Sequence, residues 1–245
     1  MYRVVEIGSF SLPKPSKEMN EDFVLFPTYD QNSNIVLAVA DGVGSSSKAN
    51  KASKCAIDTI SELVNRRDFS VKTAIYEAKR RLSSLASEDD NLKDSATTLT
   101  MLHLESDRLI IGHVGDCRAY VTRGNKLVQL TKDHTRYQEL LDSREHSIKK
   151  LSKHKERLSS VITKALSSQV DLDFDLMTVP LDELFEGTSI VLTLMSDGAY
   201  DHWHKRARFS ESTMGSPAAF ANSLRKRIQK EASDDFTCLS VKIEK

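Results

Sequence analysis

The chain has 245 residues with 35 basic and 35 acidic side chains, so its formal net charge is zero. Bulk electrostatics therefore single out neither nucleic acid nor an anionic membrane as partner. A hydrophobic fraction of 39% beside 29% charged residues excludes a disordered chain and suits one large soluble domain over 1–245.

In chain order, residues 4–10, 23–26 and 35–40 read as strands, the third running from Asn34 into Asp41-Gly42. Two amphipathic helices follow. Residues 49–65 carry Ala52, Ala56, Ile60, Leu63 and Val64 at helical spacing. Residues 71–85 do the same with Ala74, Ile75, Ala78, Leu82 and Leu85, and Ser70 is the expected N-cap. Strands at 97–104, 108–114, 119–123 and 126–130, joined by short turns, have the grammar of an antiparallel meander. Residues 136–158 are polar, hold two or three short helical patterns and look like an insertion. Within them 144–157 is rich in Lys, Arg and His, which by itself reads as a solvated face. Strands are expected at 161–165 and 174–179, and an apolar run from Ser189 ends in Asp197-Gly198. A helix over 217–230 and a strand over 236–243 close the chain. Strand runs and helix pairs with few βαβ units predict an α+β layered sandwich.

No apolar run approaches the ~20 residues of a membrane span, and no charged-then-apolar leader opens the chain. Cys55, Cys117 and Cys238 form no CxxC pair, which indicates a reducing, cytoplasmic setting and no zinc or redox motif.

The chemistry lies in the acids. One Asp-Gly pair after an apolar run reads as a hairpin turn. Here Asp41-Gly42 and Asp197-Gly198 end two similar runs, each expected to deliver a carboxylate at a strand tip while glycine turns the chain away. Asp22, Asp116, Asp201 and Asp234 stand at comparable strand ends. Like charges brought together need a proton or a cation between them, and oxygen donors of this kind suit Mg²⁺ or Mn²⁺. Asp22, Asp41, Asp197 and Asp234 are the candidate set, with the Gly42 carbonyl beside Asp41. Two close cations would make hydroxide from a shared water at neutral pH, which suits attack on phosphorus. No HExxH occurs among the seven histidines.

The ordered motifs Asn20-Glu-Asp22, Val39-Ala-Asp41-Gly-Val-Gly44, Ala96-Thr-Thr98, Val114-Gly-Asp-Cys-Arg118-Ala-Tyr120, Leu130-Thr-Lys-Asp-His134-Thr135, Val161-Ile-Thr-Lys-Ala-Leu166, Ser196-Asp197-Gly198 and Asp234-Asp-Phe-Thr237 resemble the PP2C (PPM) family of metal-dependent Ser/Thr protein phosphatases, most of all its compact bacterial members. The resemblance implies an αββα sandwich of two packed antiparallel sheets flanked by helices. It also implies hydrolysis of phosphoserine and phosphothreonine by direct attack of a metal-bridging hydroxide. By the same resemblance Asp41 bridges two metals and Gly42 binds one through its carbonyl. Asp22, Asp197 and Asp234 complete that pair, and Glu21 acts through water. Asp116 binds a third, weaker metal that shares Asp197, with Asp201 close by. Residues 136–155 fall where the family carries its flap. The implied partners are phosphorylated proteins and a cognate Ser/Thr kinase, for a monomeric enzyme that uses neither nucleic acid nor membrane.

Some positions depart from the family pattern. Lys17 stands where an arginine usually grips the substrate phosphate, and losing the bidentate fork weakens that grip or moves it, for instance to Lys14. Ser45 replaces a glycine, Asp235 an asparagine, Val43 the histidine acid of eukaryotic relatives and His113 a common asparagine, here read as structural. The changes at Lys17 and Asp235 motivate an alternative, a pseudophosphatase that binds phosphoproteins with little or no turnover. A metal-dependent phosphoesterase for small molecules is a third reading.

Overall fold

Side chains alternate along the strand that begins at Ile35, and this alternation sets the layering. Ile35, Leu37 and Val39 are fully buried on one side, and Val36, Ala38 and Ala40 on the other. A strand apolar on both faces must be covered on both. A computed structural model describes residues 1–43 and 48–245; Gly44 and Ser45 of the Asp41 motif lie outside the described residues.

The elements are β1 (Arg3–Leu12), β2 (Asp22–Tyr29), β3 (Ile35–Val43), α1 (Ala49–Leu63), α2 (Val71–Glu88), β4 (Ala96–Thr97), β5 (Leu99–Leu104), β6 (Arg108–Val114), β7 (Arg118–Arg123) and β8 (Lys126–Gln129). They continue with α3 (Arg136–Ser143), α4 (Ile148–Ser152), α5 (Lys155–Ser159), β9 (Leu166–Ser167), β10 (Asp175–Pro180), β11 (Ser189–Met195), α6 (Asp197–Lys205), α7 (Glu211–Met214), α8 (Pro217–Ile228) and β12 (Phe236–Glu244). One sheet has the order β1-β12-β11-β7-β8, the other β10-β6-β5-β3-β4-β9 with β2 also on β3. Their inner faces meet through Leu37, Val39, Leu102 and Ile111 against Ala119, Leu192, Leu194 and Val241. Helices α1 and α2 close the outside of the second sheet through Ile60, Ala74 and Ile75. Helices α6 and α8 close the outside of the first through Trp203, Phe220 and Leu224 over Phe10, Tyr120 and Phe236. The result is the α+β four-layer sandwich, αββα.

Ser70 does cap α2, accepting from the Thr73 amide. Three expectations differ from the structure. Residues 161–165 form no strand: their backbone ties the base of the insertion, with Arg136 N donating to Val161 O (2.9 Å) and Thr163 N to His134 O (2.8 Å), and pairing resumes only at β9. The run 97–104 is split at Thr98 into β4 and β5. Neither Asp-Gly pair is a turn. Asp41-Gly42 continues β3, whereas Asp197-Gly198 opens α6, a helix whose buried Ala199, Tyr200 and Trp203 follow helical spacing.

The contact of α8 with β1 allows a direct check. A Cβ on Gly8 would fall 1.9 Å from the Pro217 carbonyl oxygen, so Gly8→Ala must push the start of α8 off the sheet. The expected cost is about 2 kcal/mol, read as a thermal midpoint lower by roughly 4–8 °C; an unchanged midpoint would mean that α8 shifts at no cost.

Candidate metal centre

Register builds the site. Strands β2 and β3 pair with Asp22 opposite Asp41, which sets two carboxylates side by side. Strands β11 and β12 pair with Met195 opposite Cys238, so Asp197 at the start of α6 lies next to the segment 234–237 that leads into β12. Asp116 sits in the tight β6–β7 connection, where Gly115 takes φ +100°.

These acids feel one another. Burial, then the charges of Asp22, Asp197, Asp116 and Asp234, hold the Asp41 carboxyl well above the usual range. Burial, then Asp116, Asp234, Asp22 and Asp201, do the same to Asp197. Asp22 is pushed up to about 6, chiefly by burial, and Asp116 to about 7 by burial and Asp133. Asp22, Asp116, Asp197 and Asp234 therefore all lie within electrostatic reach of Asp41. Asp234 is exposed at its edge, 3.6 Å from Lys14 Nζ, and Asp201 is exposed one turn along α6 from Asp197. Among the described residues, no three His, Cys, Asp or Glu side chains have closed into a metal-ligand group.

Hydroxyls fix the acids. The Asp41 amide donates to Thr98 Oγ1 (3.0 Å), and its carbonyl accepts from Thr98 N (2.8 Å) and Thr97 Oγ1 (2.9 Å). Ser196 Oγ donates to Asp22 Oδ2 (2.7 Å) while accepting from Thr237 N (3.0 Å). Among the described residues the buried Asp22 Oδ1 has no hydrogen-bond partner. A bare carboxylate oxygen in the interior is costly unless a proton or a cation faces it. An all-oxygen donor set with one orphaned atom fits Mg²⁺ or Mn²⁺. Sequence reading assigned no role to Ser196 or to Thr97 and Thr98; Ser196 could have been found as the residue before a helix start.

Lys17 and Asp235 prove to be neighbours. Lys17 Nζ is paired with Glu21 and lies 3.5 Å from Asp235 Oδ2. Asp235 accepts from Lys14 N at Oδ1 (3.0 Å) and from Glu21 N at Oδ2 (2.8 Å). The two amides meet different oxygens, and asparagine would set an NH₂ donor against one of them. Burial works against the Lys17 charge, but Glu21, Asp235 and Asp234 outweigh it and raise its pKa. His113 matches its structural reading: its Nδ1 is 2.9 Å from Thr100 Oγ1, its Nε2 3.0 Å from Lys132 O, and burial lowers its pKa to about 4.

Residues 15–235 match the family model "Protein phosphatase 2C". The serine/threonine phosphatase stp of Listeria welshimeri is 27% identical over 172 residues, 66% of each chain, so the match spans just under two thirds of that relative's length. Stp1 from Staphylococcus aureus superposes with a TM-score of 0.82 at 22% identity, covering 99% of this chain and 96% of the other. The catalytic domain of the phosphatase PstP, in complex with two manganese ions, superposes at 0.76 with 22% identity over 100% and 99% of the two chains. These two likenesses bear on the fold alone. The family match covers all the acids from Asp22 to Asp234, and the chain belongs to the protein phosphatase 2C family.

Proposed function

We propose that this protein is a metal-dependent phosphatase acting on phosphoserine and phosphothreonine in proteins. The observation that carries the reading is the set of carboxylates, Asp22, Asp116, Asp197 and Asp234, within electrostatic reach of Asp41, with a buried Asp22 Oδ1 that has no hydrogen-bond partner among the described residues. Asp41 and the Gly42 carbonyl, with Asp22, Asp197 and Asp234, would hold two divalent cations, and Glu21 would act through water. Asp116 and Asp197, with Asp201 nearby, would take a third. When bound, such cations supply hydroxide at neutral pH and offset the charge on a phosphoryl group.

The chain's own groups do the rest. Thr97 and Thr98 hold the backbone of Asp41, and Ser196 turns Asp22 toward the centre. Lys17 serves two ends: it holds Glu21 and Asp235 together, and its ammonium, with that of Lys14 beside Asp234, is a cation at the edge of the acids for a phosphate to meet. His113 has both ring nitrogens engaged and is not the acid that protonates the leaving alkoxide. That proton comes from water. The substrates require a Ser/Thr kinase to make them, and three free cysteines suit a reducing, cytoplasmic setting. Among the described residues no helix is long and apolar enough to cross a membrane.

Turnover of a phosphothreonine peptide with Mn²⁺ against EDTA tests the reading. Hydrolysis is expected with the metal, falling to background with chelator. Lys17→Ala should lose about tenfold in kcat/KM. Metal-independent turnover, or none under either condition, refutes the proposal.

A further inference from the structure

Around the insertion the protein departs from electroneutrality. The segment 144–157 carries six cations, Arg144, Lys149, Lys150, Lys153, Lys155 and Arg157, against Glu145 and Glu156. Apart from the buried Leu151, that segment is exposed. None of the six has a carboxylate within ion-pair distance among the described residues, whereas the lysines and arginines flanking it do: Lys132 pairs with Asp142 (2.6 Å), Arg136 with Glu139 (3.0 Å) and Lys164 with Asp173 (2.8 Å). Unpaired like charges repel one another and destabilise the segment that carries them. An anion from outside would relieve that cost.

The insertion is anchored at the rim of the acid cluster. His134 N donates to Gly115 O (2.8 Å) and Gly115 N to His134 Nδ1 (3.1 Å), next to Asp116. At the far end Lys155 lies within electrostatic reach of Asp201 and His204 on α6. A dianionic phosphate nearing five carboxylates is repelled until cations screen them, and an adjacent cationic surface counters that at long range. Proximity to the centre favours the substrate itself over a nucleic acid or a membrane.

We propose that α4, α5 and the loop before them form a docking surface for acidic residues flanking the phosphorylated Ser or Thr of the substrate protein. This rests on the phosphatase reading. Charge complementarity of this kind speeds encounter and lowers KM without touching the chemical step.

The test compares two peptides with one phosphothreonine core, one flanked by Glu and Asp and the other by Ser and Gly, on wild type and on Lys149→Gln/Lys150→Gln/Lys153→Gln. Wild type should favour the acidic peptide by about tenfold in kcat/KM at low salt, a preference that fades as salt rises. The triple variant should lose it through KM, with kcat and p-nitrophenyl phosphate turnover unchanged. Equal treatment of the two peptides by wild type, or a preference that survives in the variant, overturns the proposal. So does an absent peptide preference alongside binding to RNA or anionic vesicles that the variant abolishes. Loss of p-nitrophenyl phosphate turnover in wild type is a different result, which removes the phosphatase reading and this proposal with it.

Discussion

Asp41→Asn is expected to lower metal-dependent turnover by about 10³-fold or more while making the metal-free protein more stable. Both follow from the position of Asp41, opposite Asp22 and under the charges of Asp197, Asp116 and Asp234. Asparagine keeps the shape and removes one charge from the cluster. As a ligand it is much poorer, because a neutral amide does not offset a divalent cation. As a member of the cluster it is better, because buried like charges are costly. In EDTA at pH 7.5 the midpoint should rise by about 5 °C. A mutant that hydrolyses phosphopeptide at the wild-type rate refutes the metal role, and one that melts lower in EDTA refutes the repulsion. The opposite signs separate a functional carboxylate from a structural one, whose loss lowers both.

The second large effect is in the pH dependence of metal stabilisation. Asp22 and Asp116 have folded pKa values of about 6 and about 7, above those of a free aspartate. Between about pH 4 and pH 7 the folded, metal-free protein therefore binds more protons at these groups than the unfolded chain, and their contribution to stability falls as pH rises. His113 works the other way, since its folded pKa is lowered to about 4. Both ring nitrogens of His113 point to protein groups, so its contribution is common to loaded and free protein and cancels between them. The midpoint in saturating Mn²⁺ minus that in EDTA should be small at pH 5 and widen to roughly 10 °C by pH 7.5. Asp41→Asn should flatten that widening. A difference that is constant or shrinks with pH would show that these carboxylates do not hold the metal.

Much of the architecture was legible because the central strands β3, β5, β11 and β12 are apolar at both parities and the helices α1 and α2 repeat at 3.6 residues. Their expected ranges lie within a few residues of the observed ones. Helix α6 was not read because Asp197-Gly198 after an apolar run has the appearance of a turn, although Ser196, Ala199, Tyr200 and Trp203 carry a helix start and its buried face. Strand character at 161–165 was overread, since the apolar Val161 and Ile162 spend their backbone on the base of the insertion.

Residue types and their order by themselves determined the family resemblance, the layered sandwich and the identity of the acids, because an Asp at the end of a buried run is a local pattern. Tertiary structure alone decided which atoms meet. Only the β2–β3 register sets Asp22 against Asp41, and only the packing of one sheet on the other brings Ser196, at the end of β11, to the Asp22 carboxylate. The departures at Lys17 and Asp235, separate in sequence, are one contact in space. Register and packing are long-range properties: hydrogen bonds between distant strands fix them, and no window of sequence contains both partners.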